Sequence, residues 1–134
     1  MSEISTLLAE TCSRLFADLV TADSMRDTEA GAWPGDLWSV LEENGLTRAL
    51  VPEAQGGTGV SWLDAAPILH AAGYYSAPVP LVETVVAGWL LAQAGVATPE
   101  GAITLAGGGD LSFNESNISG RLDRVPWGDR RAHV

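Results

Sequence analysis

Apolar residues fall at helical spacing from the start of the chain. Ile4, Leu7, Leu8, Cys12, Leu15, Phe16, Leu19 and Val20 share one side, with Glu3, Ser5, Arg14 and Asp18 on the other. This pattern predicts an amphipathic helix over residues 3–20. Residues 21–32 carry Asp23, Asp27 and Glu29 and sustain no apolar face, so they read as a loop. Pro34 and Asp36 suit a first helical turn; Leu37, Trp38 and Leu41 supply a buried face, and Gly45 suits the position just past the end. A second helix over 34–44 follows. Leu46 to Glu53 reads as extended, because the residue before Pro52 is pushed away from helical angles and Gly56, Gly57 and Gly59 follow. Ser61, with Asp64 three residues later, resembles a capping box and opens a helix bearing Trp62, Leu63, Ala66, Leu69 and Ala72, in which Pro67 predicts a kink. Pro80 and Glu83 begin a fourth helix that is apolar nearly all round and is stopped by Gly95.

Beyond Pro99 the pattern changes. Ile103–Ala106 and Ile118–Val125 have strand-like residues, separated by Gly107, Gly108, Gly109 and an Asn-Ser-rich turn. Helices come first and strands second, which is not a βαβ alternation. The expected fold class is therefore mainly α: an antiparallel bundle of about four helices over residues 1–98, then the first strands of a β-domain over 99–134 that reads as incomplete.

Composition narrows the functional classes. With 134 residues and 46% hydrophobic content, the chain can build one core but not a multidomain enzyme. The net charge of −10 and the absence of lysine argue against nucleic acid, which is bound through a basic patch. Four of the seven arginines (Arg121, Arg124, Arg130 and Arg131) lie in the last fourteen residues, where they read as surface charge. Residues 85–97 are too short for a membrane span, which needs roughly 20 apolar residues. The first residues carry Glu3 and two serines rather than a secretory leader, so a cytoplasmic protein is expected. Cys12 is the single cysteine and has no partner for a disulfide.

The candidate chemistry is sparse. Gly56-Gly57-Thr58-Gly59 lacks the lysine and the strand–turn–helix frame of a phosphate loop. His70 and His133 have no context that pairs them with Ser61 or Cys12 as nucleophile and base. Asp64 and His70 are too far apart for a shared metal-binding face. Asn114-Glu-Ser116 and Asn117-Ile-Ser119 match the glycosylation pattern but read as turn residues. The fourth helix is the most informative element. A helix apolar on every side must be enclosed, and Thr84, Ala87, Gly88 and Leu91 form a stripe that leaves a groove for a neighbouring helix or an acyl chain.

Three runs together resemble the amino-terminal domain of the acyl-CoA dehydrogenases: Glu43-Asn-Gly-Leu-Thr-Arg-Ala-Leu-Val-Pro-Glu53, Gly56-Gly-Thr-Gly59, and Ala77-Pro-Val-Pro-Leu-Val-Glu-Thr-Val-Val-Ala-Gly-Trp-Leu-Leu91. The last run also resembles a bacterial subgroup that works as mixed, two-gene complexes. The resemblance implies an oxidoreductase of fatty acid metabolism, in which a helical domain, a β-domain and a second helical domain enclose FAD. A glutamate takes the α-proton of an acyl-CoA thioester while hydride passes to the flavin. In that scheme this chain is an enzyme fragment, inactive alone and part of a homo- or hetero-oligomer. The alternative it leaves open is a non-catalytic partner subunit or helical interaction module. The resemblance nominates Glu83, Thr84 and Ala87 as acyl-pocket positions, and no catalytic residue. It nominates Ile103 and Thr104 as the start of a flavin-contacting Leu-Thr-Glu-Pro motif, although Leu105-Ala106 replaces Glu-Pro. Val125 is the one match to a second flavin segment, Trp-Ile-Thr.

Overall fold

The computed structural model describes residues 1–129 and 133–134; Arg130 and Arg131 of the basic tail lie outside the described residues. Among the described residues, five α-helices, α1 (Glu3–Leu19), α2 (Ala22–Glu29), α3 (Gly35–Glu43), α4 (Trp62–Tyr74) and α5 (Leu81–Gln93), precede one antiparallel hairpin, β1 (Gly109–Asn114) with β2 (Asn117–Leu122). The fold is mainly α with strands at the end, as the order of patterns predicts.

Helix α1 buries Cys12 and Phe16 against α4, and the two lie side by side in the same direction. Ser2, the N-cap of α1, bonds Asp64 in the first turn of α4, while Phe16 and Tyr75 meet at the other end with ring centroids 5.9 Å apart. The antiparallel relation holds between α4 and α5: Trp62 at the start of one meets Trp89 near the end of the other, 5.3 Å apart and edge-on. Leu41, Leu46, Ile68, Leu81 and Val85 complete a core that is 0–1% exposed at each of these residues.

Three local readings are corrected. The polar stretch read as a loop contains α2, held by a capping box in which the Thr21 and Ser24 side chains each bond the other's backbone amide. None of its residues is buried, so no apolar stripe announces it. The segment read as extended after Gly45 makes two 3-10 turns, Leu46–Arg48 and Glu53–Gln55. The strand expected over 103–106 is a single parallel bridge, Ile103 with His133. The missing partner strand is β1, within the stretch read as a turn. Pro67 is accommodated inside α4, which is assigned as one helix throughout. The carbonyl of Leu63, deprived of its usual donor by the proline, belongs to a residue that is 81% exposed.

The hairpin has a polar face (Asp110, Ser112, Ser119, Arg121) and an apolar one (Leu111, Phe113, Ile118, Leu122), and both are exposed to solvent. No helix among the described residues is long and apolar enough to cross a membrane.

Candidate functional site

The glycine-rich series is a folded-back loop. Gly57 packs so tightly that a Cβ there would lie 1.9 Å from the carbonyl oxygen of Val51, and Gly56 and Gly59 adopt φ of 85° and 70°. The amides of Gly56, Gly57, Thr58 and Gly59 donate to the carbonyls of Glu53, Pro52, Arg48 and Val51 at 2.8–3.1 Å. Those donors are therefore committed inside the loop and do not form a phosphate cradle. The loop borders a polar cleft of about 790 Å³ that includes Arg48, which donates to the Pro99 carbonyl at 3.3 Å.

The residues weighed as nucleophile and base stand apart. Ser61 caps α4 and donates to Asp64 at 2.7 Å, and Cys12 is fully buried. His70 is exposed and stacks on Tyr74, with centroids 6.2 Å apart. No group of three or more His, Cys, Asp or Glu residues able to hold a metal occurs among the described residues. Hydrogen bonds from Ser2 and then from Ser61 hold the Asp64 carboxyl below the usual carboxylate range. Burial pushes the Cys12 thiol up to about 11.

Helix α5 brings most of the candidate positions together. Its first turn has no side-chain cap and carries Glu83, which is half-buried. The small-residue stripe is partly filled by the protein itself. A Cβ at Gly88 would lie 3.0 Å from Val51 Cγ2, and the Thr84 hydroxyl, 2% exposed, bonds both backbone groups of Ile103. On the neighbouring side, Ala87, Leu90 and Leu91 face Ile103, Thr104 and Leu105 across a mainly apolar slot of about 430 Å³. The slot thus joins one nominated acyl position, Ala87, to two nominated flavin positions. Glu83 and Val125 do not line it.

Polar groups next to the slot bear on whether a flavin fits there. The Ile103 amide donates to Thr84 Oγ1 at 3.0 Å and the Thr104 amide to the His133 carbonyl at 2.6 Å, while the Thr104 hydroxyl donates to the Pro126 carbonyl at 2.5 Å. All three donors of this pair are committed to protein acceptors. Val125 sits half-buried in the following turn, where its carbonyl accepts from Gly128 at 3.2 Å. In this arrangement Ile103 and Thr104 offer a flavin no free hydrogen-bond donor, so the pair does not fit as a donor to a flavin. The sequence did not reveal this, because the partners that consume the donors lie 19 to 29 residues away.

Comparison with known proteins gives a consistent picture. The sequence model for the acyl-CoA dehydrogenase N-terminal domain matches residues 2–98. The chain is 34% identical over 103 residues to "Acyl-CoA dehydrogenase IpdE2" of Mycolicibacterium smegmatis, a match covering 74% of this chain and 33% of that protein. The chain thus spans about a third of the length of this curated relative. No solved structure matches it.

Proposed function

The chain belongs to the acyl-CoA dehydrogenase family, and from that premise we propose that it forms the helical amino-terminal part of a flavin-dependent acyl-CoA dehydrogenase. In this role it contributes scaffold and one wall of the acyl pocket, not the catalytic base. Residues 1–98 are the helical domain and residues 99–134 the opening strands of the β-domain. The observation that carries the reading is the apolar slot between α5 and Ile103–Leu105, with Ala87 in its wall. Its lining suits a hydrocarbon chain: burying each CH₂ is worth roughly 0.8 kcal/mol, and no charged side chain of the helix enters it. Thr84 supports the wall from behind, through its two hydrogen bonds to Ile103.

In the complete enzyme FAD would accept the hydride, with its hydrogen bonds donated by residues other than Ile103 and Thr104. A second reading, a non-catalytic subunit of a hetero-oligomeric complex, is favoured by the same committed donors. Purification in the presence of FAD, followed by spectroscopy and an acyl-CoA oxidation assay, tests the proposal. The isolated chain is expected to lose the yellow flavin band on gel filtration and to oxidise no octanoyl-CoA. Stoichiometric flavin with turnover would overturn it. A flavin band that appears only when a separate acyl-CoA dehydrogenase subunit is added favours the second reading.

A further inference from the structure

Resting on the reading of α5 as an acyl wall, we infer that Thr84 is a positioning residue, whose hydroxyl registers the Ile103–Thr104 segment on α5 and so sets the width of the slot. A threonine inside a helix ordinarily turns its hydroxyl to a carbonyl three or four residues back. Thr84 instead leaves the Pro80 carbonyl to its own amide, at 3.0 Å, and directs its side chain outward. Its Oγ1 donates to the Ile103 carbonyl at 2.9 Å and accepts from the Ile103 amide at 3.0 Å. One side chain meeting both the donor and the acceptor of a single residue fixes that residue's rotation as well as its distance from the helix.

The environment makes the clasp hard to replace. Thr84 is 2% exposed and Ile103 4%, so water has little access to either backbone group. Thr104 is tied in turn to Pro126 and His133, which carries the constraint along the segment. Ala87 lies one turn beyond Thr84 on the same helix and faces the slot opposite Ile103. The distance between the two walls is therefore governed by the Thr84 hydroxyl. The committed donors that make the pair unsuited to a flavin are what make it a rigid wall.

The test uses the full chain, labelled for NMR, with dodecanoate as the probe. In the wild type the Thr84 hydroxyl proton should exchange slowly enough to be observed and should show a cross-relaxation contact to the Ile103 amide. Dodecanoate should shift the methyl signals of Ala87, Leu91 and Ile103. Thr84→Val, isosteric but without the hydroxyl, should speed Ile103 amide exchange by about tenfold or more and weaken dodecanoate binding about fivefold, with α1 and α4 amides unchanged. Thr84→Ser should restore both properties. An absent hydroxyl signal alongside normal dodecanoate shifts overturns the clasp and leaves the acyl-wall reading standing. A present hydroxyl signal without dodecanoate shifts overturns the acyl-wall reading, and the positioning role with it. Dodecanoate affinity unchanged in Thr84→Val, or a serine variant that behaves like valine, also overturns the proposal.

Discussion

Gly57 lies against the carbonyl of Val51, so close that an added methyl would fall 1.9 Å from the oxygen. This contact gives a physical reason for glycine in the loop that follows Pro52. Gly57→Ala must displace backbone on one side or the other, and an overpacking cost on the order of 1–3 kcal/mol is expected. Urea denaturation should show a lower midpoint for this variant, whereas Gly31→Ala, with nothing within 4 Å of the added methyl, serves as a control limited to the strain of its φ of 102°. Equal midpoints for Gly57→Ala and the wild type would contradict the packing described.

The α1–α4 pair is fastened at its start by Asp64, which accepts hydrogen bonds from Ser2 and Ser61. Its folded-state pKa is lowered, first by Ser2 and then by Ser61. A group of this kind adds stability above its unfolded pKa, about 4, and loses it as pH falls through the folded value. Asp64→Asn should therefore be less stable than the wild type at neutral pH, with the gap closing as the solution is acidified. A gap that persists unchanged to strongly acidic pH would show that the carboxylate charge has no part in the fastening.

Cys12 is fully buried, and its thiol is pushed from 9.0 to about 11 by loss of solvation. Iodoacetamide should label it at the rate of global or local opening rather than of a free thiol, and rapidly in urea. The raised pKa also has a signed consequence. Its stabilising contribution is intact below the unfolded value and is lost as pH climbs from about 9 to about 11. Cys12→Ala should remove that alkaline component of the stability profile; an identical alkaline slope in the variant would rule it out.

Elements with an apolar stripe were legible in the sequence. Cys12 and Phe16 in α1 and Leu37, Trp38 and Leu41 in α3 report burial through spacing alone, whereas α5, apolar nearly all round, buries Leu81, Val85 and Ala87 but exposes Val82 and Leu90. Helix α2 was not legible, because nothing in it is buried and its start depends on Thr21 paired with Ser24 instead of the more familiar glutamate. The strand at Gly109–Asn114 was hidden by its turn-forming residues, although Leu111 and Phe113 alternate with Asp110 and Ser112 as a strand requires. The site was legible only in part. Family resemblance pointed to Thr84, Ala87, Ile103 and Thr104, but that Thr84 grips Ile103 and that Thr104 is spent on Pro126 are long-range facts without a local pattern.

If α5 and the Ile103 segment form one wall of an acyl site, a methyl-NMR titration of the chain with octanoyl-CoA will register it. Saturable shifts are expected only at the slot, at Ala87, Leu90, Leu91 and Ile103, with their loss in Ala87→Phe, whose ring would fill the space. Shifts centred instead on α1 and α4 or on the polar cleft beside Arg48, or no shifts at all, would contradict it.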